Sequence, residues 1–111
     1  MNQSNTVPGS FILYTTDERT LNQDYSKVQA AVGGTLSDPT LVVTDLLRDG
    51  SVVTLHGTPP TVVGTSVYYQ LLGSDFAIGP TPNTVGQYKI TITVVMNGDT
   101  FTSVTFFNVP Q

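Results

Sequence analysis

Residues 85–109 read VGQYKITITVVMNGDTFTSVTFFNV. Asn97-Gly98 divides this stretch into two arms rich in Val, Ile, Thr, Tyr and Phe, the types that fit a pleated, half-buried surface. Asn-Gly between such arms signals a hairpin, because a type I′ turn needs positive φ at both central residues. In the first arm Tyr88, Ile90, Ile92, Val94 and Met96 share one face, with Lys89, Thr91 and Thr93 on the other. That period of two marks a half-buried strand. A two-residue loop sets Val94 opposite Phe101, Ile90 opposite Thr105 and Tyr88 opposite Phe107. A three-residue loop sets Ile92 opposite Val104 and Ile90 opposite Phe106. Both bury aromatic rings, so the sequence leaves the register open by one residue.

The same signals recur upstream. From Tyr25, alternation places Val28, Ala30 and Val32 on the core face of a strand that Gly33-Gly34 ends. Asp38-Pro39 starts a turn, and TLVVTDLL (40–47) is the next strand. Leu46-Leu47 could belong to a helix, but the Val and Thr before them and the Asp-Gly after them favour a strand. Asp49-Gly50 marks a second hairpin with SVVTL (51–55) as its partner. TVV and SVYYQLL flank Gly64, where a kink or bulge is expected. GSDFAIGPTPN (73–83) is a long loop rich in Pro and Gly. The expectation is one all-β domain over residues 25–111, an antiparallel sandwich of about seven short strands separated by turn signals.

Residues 1–24 carry no comparable pattern. A polar start, MNQSNTVPGS, lacks the basic and apolar regions of a signal peptide. Phe11, Ile12, Leu13 and Tyr14 then form an isolated apolar patch, followed by polar TTDERTLNQD. Two readings arise: a short first strand on the sheet edge, or an extended N-terminal arm over residues 1–24 whose patch binds a neighbouring subunit. The second assigns Phe11, Ile12, Leu13 and Tyr14 as partner-binding residues. Such an arm has too few apolar residues to offset its ordering entropy alone, so it would order only on a partner.

Composition narrows the chemistry. Charged residues make up 11% of the chain, against about a quarter in ordinary domains. The expected surface is therefore polar but nearly neutral and suited to being covered by neighbours. The net charge of −4 and four scattered basic residues, Arg19, Lys27, Arg48 and Lys89, argue against nucleic acid as a partner. No apolar run approaches the roughly 20 residues of a membrane-spanning helix. No cysteine is present, which removes disulfides and thiolate metal sites.

His56 is the only histidine and has no Gly-x-Ser-x-Gly elbow or ordered acid partner in the sequence. Asp38, Asp49, Asp75 and Asp99 sit in turn contexts where carboxylates cap backbone amides. No Asp-x-Asp-x-Asp string suggests calcium. The expectation is a chain that is not an enzyme, with no catalytic residue, no metal and no cofactor. Tyr68-Tyr69 and Phe106-Phe107 each put one ring on either face of a strand, which leaves a glycan platform as an alternative use of the outward rings.

Thr84-Val85-Gly86-Gln87-Tyr88-Lys89-Ile90 resembles the penultimate strand of immunoglobulin-like domains. There a Gly-x-Tyr step carries a tyrosine corner whose hydroxyl bonds back to upstream backbone. The resemblance assigns Gly86 and Tyr88 to the corner, beside Asn97 and Gly98 in the hairpin turn, and puts Ile90 where antibody domains have their second cysteine. The sequence departs from antibody domains in lacking the cysteine pair and any tryptophan. From Lys27 to Val109, with Val62 or Val63 around Gly64 to Val67, the chain also resembles small immunoglobulin-like domains of tailed-bacteriophage virion proteins, found on head decorations, necks, baseplates and fibres. That resemblance implies a virion location and a structural role. Other capsid or tail subunits and copies of the same chain would be its partners. The alternative is an adhesion or carbohydrate-binding module.

Overall fold

A computed structural model describes residues 11–76 and 85–110. The hairpin organises it. β7 (Val85–Met96) and β8 (Asp99–Pro110) pair along their whole length with Val94 opposite Phe101 and Tyr88 opposite Phe107, the register of the two-residue loop. Asn97 and Gly98 have φ of 51° and 82°, the two left-handed residues that a type I′ turn demands. The turn's tight geometry therefore resolves the one-residue ambiguity.

The remaining strands are β1 (Phe11–Ile12), β2 (Glu18–Asp24), β3 (Leu36–Asp45), β4 (Ser51–Val52), β5 (Thr61–Val63) and β6 (Ser66–Leu72). They form two sheets, β1-β8-β7-β3-β4 and β2-β6-β5. All described pairings are antiparallel except β1 with β8. The sheets pack face to face as a β-sandwich. Between them lie Val43, Val67, Leu71, Ile90, Ile92 and Val94, with Phe76, Tyr88 and Phe107 forming an aromatic cluster at one end.

Three expectations are corrected by this arrangement. Residues Ser26–Val32 form a helix, α1, where a strand was expected. SKVQAAV is rich in strong helix formers. Asp24 Oδ1 accepts the Ser26 amide at 2.7 Å before its first turn, and the Gly33 amide donates to Gln29 O at 2.8 Å at its end. Val28 and Val32 pack on the core in either periodicity, since positions two apart twice over are also four apart. Asp38-Pro39 lies inside β3 as an irregularity between Ser37 and Thr40, with Asp38 at φ 50°. Gly64, at φ 60°, turns the chain between β5 and β6 and does not kink a single strand.

The boundary drawn at residue 25 is corrected as well. β2 is an integral strand of the smaller sheet, paired from Glu18 with Leu72 to Asp24 with Ser66. Its partner strand lies more than forty residues away in sequence, so neither the strand nor its place in the sheet shows in a local pattern. β3 ends at Asp45, two residues early, because its carboxylate accepts the Leu47 amide and its carbonyl accepts the Arg48 and Gly50 amides.

The core holds three buried tyrosines, Tyr25, Tyr69 and Tyr88, and burial raises the phenol pKa of each. Tyr25 accepts a hydrogen bond from the Ser103 hydroxyl at 2.8 Å. Burial pushes the Tyr69 phenol up to about 12; the nearby Tyr25 adds to the rise and Arg19 opposes it. The unfolded chain titrates this group near 10, so the folded state holds the proton more tightly. The corresponding stability is intact below about pH 10 and is lost as pH rises towards 12. We expect urea midpoints of the wild type to fall between these limits by an amount corresponding to roughly 2–3 kcal/mol. Tyr69→Phe should fall less. Equal slopes in the two proteins would refute this assignment.

Candidate functional site

The residues expected to contact partners divide among different roles. β1 lies parallel to β8, with Phe11 opposite Phe107 and Ile12 opposite Asn108. The Phe11 ring stacks on Phe107 at 5.3 Å, and the Arg19 guanidinium sits 5.1 Å above its centroid. Arg19 Nη1 also donates to Ile12 O at 3.0 Å. Leu13 is fully buried and belongs to the core, so it is unavailable to a partner. Ile12 and Tyr14 remain 49% and 54% exposed. Period-two alternation explains the split, since Leu13 faces inward between two outward neighbours.

The turn after Tyr14 is held firmly. Asp17 Oδ2 accepts the Tyr14 amide at 2.8 Å, and Tyr14 O accepts the Asp17 amide at 2.9 Å. Gly73 donates its amide to Asp17 O at 2.7 Å. A Cβ on Gly73 would lie 2.0 Å from Tyr14 O, so only glycine allows this approach. The patch is thus anchored within its own fold.

Ile12 adjoins a larger surface. On the outer face of the five-stranded sheet, Val42, Val52, Val85, Val104 and Phe106 are exposed. The register sets Val42 and Val104 on either side of Thr91, and Thr44 and Phe106 on either side of Lys89. Threonines at 40, 44, 91, 93 and 102 fill most of the remaining positions. Of the outward positions in β3, β7 and β8 that flank this patch, only Lys89 carries a charge. The carboxylates lie away from its centre: Asp45 beneath the turn with Arg48, Asp49 within that turn, Asp17, Glu18 and Asp24 in or beside β2, Asp38 in the irregular part of β3, Asp99 at the start of β8, and Asp75 buried against an exposed His56. The result is a broad, neutral face of methyl groups, one ring and one ammonium.

The opposite sheet bears a different feature. Thr20, Thr58, Pro59, Thr61, Tyr68 and Gln70 line an open cleft of about 130 Å³. Gln70 Oε1 accepts the Thr58 amide at 2.8 Å, and its Nε2 donates to Glu18 at 3.2 Å. Tyr68 is exposed here, whereas Tyr69 and Phe107 turn into the core, so single rings on opposite sheets replace any shared aromatic platform.

His56 has an acid partner that sequence reasoning missed. Asp75 Oδ1 lies 2.7 Å from His56 Nδ1, and Asp75 Oδ2 accepts the His56 amide at 2.9 Å. The two are nineteen residues apart and meet only because the smaller sheet brings the loop before β5 against the short 3-10 helix after β6, Gly73–Phe76. Asp75 is 94% removed from solvent and the imidazole is 70% exposed, so the carboxylate ties the loop while the ring faces out. Among the described residues, no group of three His, Asp or Glu gathers to hold a metal.

The four structural residues are placed as follows. Asn97 and Gly98 form the hairpin turn, and Asn97 Nδ2 also donates to Val32 O at 2.9 Å, tying the turn to the end of α1. The Tyr88 ring folds back over Gly86, where an added Cβ would meet it at 2.7 Å. The upstream backbone partner expected for its hydroxyl falls on residues outside the described ones. Comparison with known proteins yields no matching family model, no matching curated protein and no matching solved structure.

Proposed function

We propose that the chain is an immunoglobulin-like structural subunit of a virion that binds neighbouring capsid or tail subunits, and copies of itself, through the outer face of the larger sheet. The immunoglobulin-like reading is supported by strand order. β2, β6 and β5 correspond to strands B, E and D, and β3, β7 and β8 to C, F and G with β4 as C′. Tyr88 folding over Gly86 near the start of β7 agrees with a corner at strand F. The helix α1 between B and C is this chain's own addition.

The observation that carries the assembly reading is the neutral face around Val42, Val104 and Phe106. Contiguous exposed apolar residues with so little charge favour burial against another protein. The test is a Val104→Asp/Phe106→Asp variant. It should keep the wild-type thermal transition and lose incorporation into the particle. Normal incorporation of a folded variant would end this reading.

A second reading, a carbohydrate-binding or adhesion module, is favoured by the Tyr68 cleft, where hydroxyl and amide groups surround one exposed ring. It predicts retention on a polysaccharide column that Tyr68→Ala abolishes and the Val104/Phe106 variant keeps.

A further inference from the structure

Asn97-Gly98 is the chain's only Asn-Gly step, and it lies exposed at the tip of the β7–β8 hairpin. Such a step is chemically labile. The Gly98 amide nitrogen can attack Asn97 Cγ, and glycine has no side chain to hinder the approach. A bond forms between Gly98 N and Asn97 Cγ, the Cγ–Nδ2 bond breaks, and ammonia leaves with the proton from Gly98 N. Water then opens the resulting succinimide at either carbonyl, leaving aspartate or isoaspartate at position 97.

The fold opposes this reaction in two ways. Ring closure brings Gly98 N into line with Asn97 Cβ about the Cα–C bond, at ψ of about −120°, whereas the first central residue of a type I′ turn sits near about +30°. Pairing of β7 with β8 up to Met96 and Asp99 holds the turn in that shape. The leaving group is also held, since Asn97 Nδ2 donates to Val32 O at 2.9 Å. Beside it, Gly34 packs so closely that a Cβ there would lie 3.0 Å from Asn97 N and 3.2 Å from its Cα. Gln29 Nε2 donates to Gly34 O at 3.0 Å, which fixes that segment to α1.

We propose that Asn97 is a deamidation site that the folded hairpin and the end of α1 keep closed, and that unfolding opens. Its consequence is one-way. Either product replaces the Nδ2 donor with a carboxylate facing Val32 O, an acceptor at the negative end of α1. Isoaspartate also carries its Cβ in the main chain, and the close approach of Gly34 leaves no room for the longer backbone. A chain that converts while unfolded therefore refolds without the tie between hairpin and helix. The site lies in the turn and does not depend on what binds the outer sheet face.

Peptide mapping by mass spectrometry tests the proposal on the full chain, incubated in mildly alkaline buffer with and without denaturing urea. A peptide of residues 92–102 gives the unrestrained rate in each solvent. Conversion at Asn97 in the folded protein should be at least about tenfold slower than in the peptide, because it requires local opening. In urea the two should convert alike. Asn97→Asp reproduces the hydrolysed side chain. Its urea midpoint should fall below wild type at neutral pH and return towards it in acid, where a protonated carboxyl again donates to Val32 O. Folded protein converting as fast as the peptide would overturn the proposal. So would an Asn97→Asp midpoint that matches wild type at neutral pH.

Discussion

Deletion of residues 1–24 should abolish the cooperative thermal transition of this domain. The deletion removes Leu13 from the core, the Phe11 ring from its stack on Phe107, and all seven residues of β2. Loss of a buried leucine alone costs about 2–5 kcal/mol. Without β2, the smaller sheet is reduced to the β5–β6 pair and one side of Val67, Tyr69 and Leu71 loses its cover. The whole stability of a domain is only about 5–15 kcal/mol, so the remaining chain should be unfolded or molten. Calorimetry and near-ultraviolet circular dichroism would report this directly. A wild-type transition in the shortened chain would restore the view of residues 1–24 as a dispensable arm. Removing residues 1–9 alone is a different experiment, because it spares every described core residue.

Ile92→Ala should lower stability by about 2–5 kcal/mol. Ile92 lies in the central strand of the larger sheet, opposite Leu41 on one side and Ser103 on the other, and is almost wholly buried. At about 4–8 °C per kcal/mol for a domain near this size, Tm should fall by roughly 10–30 °C. Gln87→Ala, on the exposed face of the same strand, should stay within about 0.5 kcal/mol of wild type. Similar losses in the two variants would mean that the face assignment along β7 is wrong.

These two results concern segments of very different legibility. β7 and β8 were readable because their order is local: adjacent arms, an alternating pattern and an Asn-Gly turn that only a few backbone conformations satisfy. The rest of the strand pattern was readable to the extent that turn chemistry punctuated it. α1 was misread because seven residues cannot separate a period of two from a period of 3.6 when the apolar positions are four apart. The hydrogen bond from the Ser26 amide to Asp24 and the contact of the helix end with Asn97 settle the matter only once the chain is folded.

The functional surfaces follow the same division. The sequence by itself determined that the larger sheet has one apolar face and one threonine-rich face, and that the chain has little charge with which to bind nucleic acid. It also singled out Phe11, Ile12, Leu13 and Tyr14 as an apolar group with no local support. Only the tertiary structure decided that Leu13 enters the core, that Phe11 lies between Phe107 and Arg19, and that Ile12 borders the face bearing Phe106. It alone brought Asp75 to His56 and Thr58 to Gln70. The reason is sequence distance. Alternation and turns act over a few residues, whereas these contacts arise where strands far apart in the chain become neighbours, and no local pattern encodes which strands those will be.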